Sequence, residues 1–198
     1  MKKVFIDGSA GTTGLRIFDR LQGRTDIQLL TLPESERKLE ASRKKLLNET
    51  DVVFLCLPDD AAREAASWVE NPDTVVLDTS TAHRTAPGWC YGFPELSPVQ
   101  EARLRQAKRI AVPGCHASGF IALVYPLISA GLLAPDALLS CYSLTGYSGG
   151  GKKMIAEYRA PERSPLLNAP RQYALGQTHK HLKEMKAVTG LASEPVFC

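Results

Sequence analysis

Cys115 stands directly after Pro113-Gly114, between the apolar run Arg109-Ile-Ala-Val112 and a second apolar run from Ala117 onward. That placement puts a thiol at a strand end and at a helix N-terminus, where the helix dipole favours a thiolate. A thiolate so placed is a nucleophile, and Cys115 is the candidate centre of covalent catalysis. The other cysteines have blander settings. Cys56 and Cys141 fall inside apolar strands and read as core, Cys90 lies in a Trp-Cys-Tyr loop, and Cys198 is terminal. A catalytic thiol needs an acid–base group, and His179-Lys-His181 supplies two candidates, with Glu184 following. Helical positions i and i+2 do not share a face, so one ring is expected toward the cysteine and the other toward substrate or solvent. The sequence does not say which. His-x-His also fits a metal pair, but no further Cys/His/Asp cluster accompanies it, and no metal is expected. His116 is expected to point away from Cys115, and His83 reads as a loop or cofactor contact.

A second constellation lies at the start of the chain. Gly8-Ser9-Ala10-Gly11-Thr12-Thr13-Gly14 separates Val4-Phe5-Ile6 from Leu15, Ile17, Phe18 and Leu21 at helical spacing. Glycines between a strand and a helix let the backbone approach a pyrophosphate, and the helix N-terminus supplies N–H donors. The spacing differs from Gly-x-Gly-x-x-Gly, so the alternative is a glycine-rich turn without a ligand. Glu34 stands 20 positions after Gly14, where a ribose-binding acid is expected, but Arg37 and Lys38 lie beside it. Arg37 suits a 2′-phosphate, which favours NADP over NAD. The alternative is that Arg37 and Lys38 begin a solvated helix.

These residues need elements to hold them. Strands are expected at Val4–Ile6, Ile27–Leu32, Val52–Leu57 and Val75–Leu77. Helices are expected after Gly14, over Lys38–Leu47 and from Asp59 to about Val69, the last with carboxylates at its N-terminus. Apolar strands alternating with helices indicate a parallel sheet covered on both faces. Beyond residue 113 the pattern changes. A helix is expected over Ala117–Ala130, a longer strand over Leu138–Thr145 and a flexible loop over Tyr147–Gly151. A basic helix-like stretch from Lys152, a proline-rich loop and a helix over Thr178–Val188 follow.

Composition excludes several classes. The 198 residues carry 24 Lys+Arg and 21 Asp+Glu, too near neutral for nucleic-acid binding through bulk charge. Residues 151–198 hold 8 basic and 4 acidic side chains, so this portion either attracts a small anionic substrate or is a solvated face. No apolar run reaches the ~18 residues of a membrane span, and the first residues do not resemble a signal peptide. Five cysteines without a Cys-x-x-Cys pair suit a reducing cytoplasm.

Taken together, the motifs resemble the N-acetyl-gamma-glutamyl-phosphate reductase family, the shorter bacterial type, within the semialdehyde dehydrogenase superfamily. The resemblance spans the chain. Besides the Gly8–Gly14 turn, it is carried by Leu57-Pro-Asp-Asp-Ala61, Asp78-Thr-Ser-Thr-Ala-His-Arg84, Tyr91-Gly-Phe-Pro-Glu-Leu96 and Pro113-Gly-Cys-His-Ala-Ser-Gly119. Gly146-Tyr-Ser-Gly-Gly-Gly-Lys152, Ala169-Pro-Arg-Gln-Tyr173 and His179-Lys-His-Leu182 complete it.

The resemblance implies an α/β fold. A Rossmann-like, parallel-sheet, NADP-binding domain over 1–114 would precede part of an α+β catalytic and dimerisation domain with a mixed sheet over 115–198. It implies reduction of N-acetyl-glutamyl 5-phosphate by NADPH in arginine biosynthesis, with Cys115 as nucleophile and His179 or His181 as acid–base. The Gly8–Gly14 turn, Pro58 and Ser80 would bind cofactor, and Ser148-Gly149-Gly150 would lie by the nicotinamide. Arg84, Lys152, Arg159 and Arg171 are candidate cations for the substrate phosphate and carboxylate. A homodimer or homotetramer is implied. Two departures stand out: Lys183 replaces the family's usual proline, and family members continue beyond Phe197, so the chain resembles a C-terminally truncated member. The competing readings are an aspartate-semialdehyde dehydrogenase-like reductase, a non-catalytic dinucleotide-binding remnant and a Cys–His hydrolase.

Overall fold

The computed structural model describes residues 1–172 and 174–198. Tyr173, the last residue of the Ala169–Tyr173 motif, lies outside the described residues. The chain divides into two compact units, Met1–Ser118 and Gly119–Cys198.

The first unit alternates strands and helices: β1 (Lys2–Asp7), α1 (Thr12–Leu21), β2 (Ile27–Leu30), α2 (Glu40–Glu49), β3 (Val52–Leu55), α3 (Asp59–Ser67) and β4 (Val75–Asp78). They are followed by β5 (Cys90–Tyr91), α4 (Pro98–Gln106), β6 (Arg109–Ala111) and the start of α5 (Cys115–Ser129). The six strands form one sheet in the order β2-β1-β3-β4-β6-β5, all neighbours parallel. The register Val4↔Val52↔Val75 sets apolar residues side by side across three strands. Phe5, Leu47, Val53, Leu55, Ala65, Val69 and Val76 pack into one core cluster. Burial is complete on both faces only along β1 from Val4. On β3 and β4 the residues of one face, Val52, Phe54, Val75 and Leu77, are half-buried.

Parallel strands place all their carboxyl ends along one edge. The chain leaves β1 for β2 on one side and then crosses to β3 on the other. The resulting crevice above β1 and β3 is the switch point at which open α/β sheets bind ligands.

In the first unit, β5 and α4 escape the sequence reading. β5 is a two-residue edge strand, so Cys90 is a buried strand residue and not a loop residue. α4 starts at Pro98 behind Ser97, whose Oγ accepts from Gln100 N at 3.1 Å. Ser-Pro is a legible helix start, but α4 buries none of its residues, so it lacks a strong apolar period.

The second unit holds the rest of α5, a parallel pair of β7 (Ser140–Cys141) and β8 (Val196–Phe197), α6 (Gly151–Arg159) and α7 (His181–Thr189). Leu182, Met185, Leu191 and Phe197 are buried in it. The side-chain amide of Gln177 donates to Phe197 O at 2.7 Å and accepts from Phe197 N at 2.8 Å, as a neighbouring strand would. The long strand expected over Leu138–Thr145 is not formed. Its ladder is two residues long, because β8 offers only two partners, and Leu138, Tyr142 and Leu144 are exposed. Tyr147–Gly150 forms a 3₁₀ turn where a flexible loop is expected. α7 begins at His181 instead of Thr178, and ends on Gly190 in the left-handed region (φ 79°).

Candidate active site

Four loops of the first unit converge on the carboxyl edge of its sheet. The loop after β1 is the glycine turn. Gly8 has φ +86°, and a Cβ there would lie 2.3 Å from Cys56 O. A Cβ on Gly14 would lie 2.4 Å from Gly8 O. Glycine is required at both positions because backbone meets backbone. Gly11 N donates to Gly8 O at 2.9 Å, closing the turn, and Leu15 N donates to Gly11 O at 2.9 Å, opening α1. Among the described residues no side chain caps α1. Its first-turn N–H groups, from Thr12 and Thr13 onward, have no partners within the helix, so the turn fits an anionic pyrophosphate. Ser9 is half-buried and Ala10 exposed on the same turn.

The loop after β3 carries Cys56 to Pro58, with exposed Pro58 as the N-cap of α3. Burial pushes the Cys56 thiol up to about 11. Asp7 and Asp78 act in the same direction, and a hydrogen bond with Thr79 opposes them. Cys56 is therefore a neutral thiol beneath the turn near neutral pH.

The loop after β4 is cross-linked throughout. Asp78 is fully buried. Its carboxylate accepts from Ser80 N at 2.9 Å and Ser80 Oγ at 2.7 Å, and meets His83 Nδ1 at 2.6 Å. The His83 ring stacks on Trp89, with centroids 3.9 Å apart. Asp59 accepts from Thr81 N and Oγ1, and Arg63 donates to Ala82 O at 2.8 Å. Ser80 is consequently a buried, fixed hydroxyl at the sheet edge. Arg84 donates through Nε to Val112 O at 2.9 Å and through Nη2 to Thr79 O at 3.2 Å. It therefore ties the β4 loop to the loop after β6.

That fourth loop leads into Cys115, the first residue of α5, which is exposed. Ser118 returns both N–H and Oγ to Gly114 O, at 2.8 and 2.9 Å, and locks the helix start behind the thiol. Burial lowers the pKa of adjacent His116, which favours its neutral ring.

The cofactor candidate Arg37 lies in the turn after β2, exposed, with Nε 3.3 Å from Leu32 O. The first unit thus gathers Gly8–Gly14, Arg37, Pro58, Ser80, Arg84 and Cys115 on one sheet edge. Sequence reasoning misses the residues that hold them: Asp7, Arg43, Asp78 and Trp89. The Asp-x-Ser spacing at 78–80 is a signal for the Asp78–Ser80 bonds alone.

The second unit carries the other candidates. His179 precedes α7, and its Nδ1 accepts from His181 N at 3.2 Å while its carbonyl accepts from Leu182 N. The histidines do not diverge as a helical i, i+2 pair would. Their rings meet edge to face at 4.5 Å, because His179 lies outside the helix. His181 is buried and His179 half-buried. Ser148, Gly149 and Gly150 form the exposed 3₁₀ turn, and Lys152 and Arg159 are exposed on α6. Arg171 pairs with Glu157 at 3.3 Å and lies over the Tyr158 ring at 5.5 Å. Among the described residues no group of three or more His, Cys, Asp or Glu is arranged for a metal.

Comparison with known proteins adds an independent observation. A family profile described as semialdehyde dehydrogenase, NAD binding domain, matches residues 3–104, just over half of the chain.

The chain belongs to the semialdehyde dehydrogenase family.

A second semialdehyde dehydrogenase profile, the dimerisation domain, matches residues 115–197. Among curated relatives, N-acetyl-gamma-glutamyl-phosphate reductase 2 of Pseudomonas putida is 48% identical over 196 residues, covering 98% of this chain and 62% of its own length. The N-acetyl-gamma-glutamyl-phosphate reductase of Rhizobium meliloti is 48% identical over 197 residues, covering 98% of this chain and 64% of its own. The chain thus spans less than two thirds of the length of these relatives. Among solved structures, aspartate semialdehyde dehydrogenase II of Vibrio cholerae, complexed with ASA, matches with a TM-score of 0.68 at 17% identity, over 100% of this chain and 69% of that one. Aspartate semialdehyde dehydrogenase of Candida albicans, with NADP, matches with a TM-score of 0.66 at 19% identity, over 100% and 67%. These structures share the fold of this semialdehyde dehydrogenase family member.

Proposed function

We propose that this chain forms the nucleotide-binding and thiol-bearing part of an NADPH-dependent N-acetyl-gamma-glutamyl-phosphate reductase of arginine biosynthesis. One observation carries the reading. An exposed cysteine at a helix start and a glycine turn that admits no Cβ share the carboxyl edge of one parallel sheet. Relatives that are 48% identical over the aligned residues bear that enzyme name. A homodimer or homotetramer, working in a reducing cytoplasm, accords with the dimerisation-domain match and with five free thiols.

In this reading the Gly8–Gly14 turn receives the pyrophosphate, with Ser9, Ala10, Thr12 and Thr13 supplying backbone donors. Arg37 meets the 2′-phosphate, and Pro58 and Ser80 line the rest of the cofactor; the Ser148–Gly150 turn of the second unit is a further candidate cofactor contact. The Cys115 thiolate attacks the acyl-phosphate carbonyl carbon, forming a C–S bond. The C–O bond to phosphate breaks, and phosphate leaves with the electron pair. Covalent capture divides one hard displacement into two easier steps. Bound NADPH supplies the hydride that converts the thioester to the aldehyde level. The C–S bond then breaks and returns the thiolate. His179 or His181 holds the proton that the reaction consumes, which ends on phosphate. Backbone N–H groups at the start of α5 stabilise the transient oxyanion. Arg84, Lys152, Arg159 and Arg171 are the candidate cations for phosphate and carboxylate, although Arg84 already spends two donors on backbone carbonyls.

The test joins residues 1–198 to the part of the Pseudomonas putida relative that they do not cover and follows phosphate-dependent reduction of NADP. N-acetylglutamate semialdehyde should support turnover and aspartate semialdehyde should not. The Cys115→Ser form should be inactive. Equal turnover by Cys115→Ser, or preference for aspartate semialdehyde, overturns the reading.

A further inference from the structure

Asp7 is the last residue of β1 and immediately precedes the glycine turn. Its carboxylate is almost completely buried, and Arg43, in the first turn of α2, grips it. Arg43 Nε donates to Oδ1 at 3.2 Å and Oδ2 at 3.1 Å, and Nη2 donates to Oδ2 at 2.9 Å. The guanidinium also lies 4.8 Å from the Trp68 ring centroid. Two buried charges are costly to desolvate, and such a pair is weak evidence of a gain in stability. A role in geometry is the stronger explanation.

The bonds from this pair run in both directions. Asp7 O accepts from Cys56 N at 2.8 Å, so the end of β1 is fixed just below the turn. On the other side, Arg43 N donates to Leu39 O at 3.1 Å, Leu39 N to Glu36 O at 2.9 Å, and Arg37 N to Pro33 O at 3.2 Å. Ser42 Oγ donates to Glu36 at 2.8 Å and closes the same segment. A continuous chain of short bonds therefore joins the Gly8–Gly14 turn to the loop that presents Arg37.

We propose that Asp7 and Arg43 form a positioning strut that fixes Arg37 at the distance from the pyrophosphate turn that a 2′-phosphate requires, and so sets the preference for NADP over NAD. The proposal rests on the reading of Gly8–Gly14 as the pyrophosphate site and Arg37 as the 2′-phosphate partner. NAD lacks the phosphate and makes no use of Arg37, so a displaced Arg37 loop weakens NADP alone.

The experiment measures association constants of NADP and NAD for the 198-residue chain by calorimetry, with melting curves in the absence of nucleotide. The variants are Asp7→Asn, Arg43→Gln and Arg37→Ala. Arg37→Ala calibrates the underlying reading: if it leaves the NADP/NAD ratio unchanged, Arg37 is not the phosphate partner and the strut falls with it. If Arg37→Ala lowers the ratio, the strut stands or falls by the other two variants. Asp7→Asn adds positive charge to the region and Arg43→Gln removes it. A strut predicts that both lower the ratio, by about tenfold, because either change breaks the fork. A through-space charge effect predicts opposite shifts, and that result overturns the proposal. Unchanged ratios with lower melting temperatures overturn it as well, leaving a structural pair only. Arg43→Lys keeps the charge but loses the bidentate fork. It should give the same direction of shift if either variant proves too unstable to isolate.

Discussion

The two units hold their candidate residues in different ways. In the first, the loops after β1, β4 and β6 are tied down from beneath: the glycine turn by backbone packing on Cys56, Ser80 by Asp78, Arg84 by Val112 and Thr79, and the Cys115 helix start by Ser118. In the second, Lys152, Arg159 and Arg171 are exposed, and the Arg171–Glu157 pair is solvent-facing on both sides. The comparison shows what makes a charged or nucleophilic residue precise. Its own type supplies the chemistry, while buried carboxylates and backbone carbonyls around it supply the position.

The contrast can be broken most sharply at the turn. Gly8→Ala must place a methyl group 2.3 Å from Cys56 O at a φ of +86°. It should cost about 3 kcal/mol of stability and abolish NADP binding, read by melting and calorimetry. Retained binding would mean that the backbone can give way there.

Asp78→Ala is the next test. It strips partners from Ser80 N, Ser80 Oγ and His83 Nδ1 at once. A loss of about 3 kcal/mol is expected, with NADP binding weakened further than the melting shift alone explains. A neutral result would sever the link between buried support and site geometry.

Thiol chemistry sharpens the comparison within the first unit. Cys56, held to about 11 mainly by burial, remains protonated at neutral pH. Its raised value means that the folded state loses stability only as pH climbs through the alkaline range toward that value. Iodoacetamide at neutral pH, followed by peptide mass mapping, should modify exposed Cys115 and leave Cys56 intact. Comparable labelling of both would contradict the buried, neutral assignment.

The smallest effect belongs to the second unit. Arg171→Ala removes a solvent-exposed pair and a ring contact, and should leave the melting temperature of the chain unchanged. A clear drop would show that the basic segment is held more firmly than its exposure suggests.

How much of this is legible in the sequence follows the same division. The glycine turn and Cys115 can be read from neighbours in the chain, because backbone conformation at a strand–helix junction is a local property. β1, β3 and β4 can be read because their residues are continuously apolar. Arg43 gripping Asp7 cannot be read, since the partners are 36 residues apart and meet only through the parallel order of β1 and β2. The His179–His181 contact is missed for a related reason. Periodicity places both on one helix, but the His179 ring accepts the His181 N–H and the helix starts two residues later. The strand expected over Leu138–Thr145 fails because strand length depends on the partner, and β8 pairs with two residues only.

The proposed reaction requires Cys115 to take the acyl group. The most direct measurement mixes the Pseudomonas putida-completed chain with N-acetyl-glutamyl phosphate in the absence of NADPH, quenches in acid, and maps the acyl adduct by peptide mass spectrometry. A hydroxylamine-labile acyl group is expected on the peptide bearing Cys115, absent from Cys115→Ser. An adduct on Cys56, Cys90, Cys141 or Cys198, or phosphate-dependent turnover with no adduct on Cys115, would contradict it.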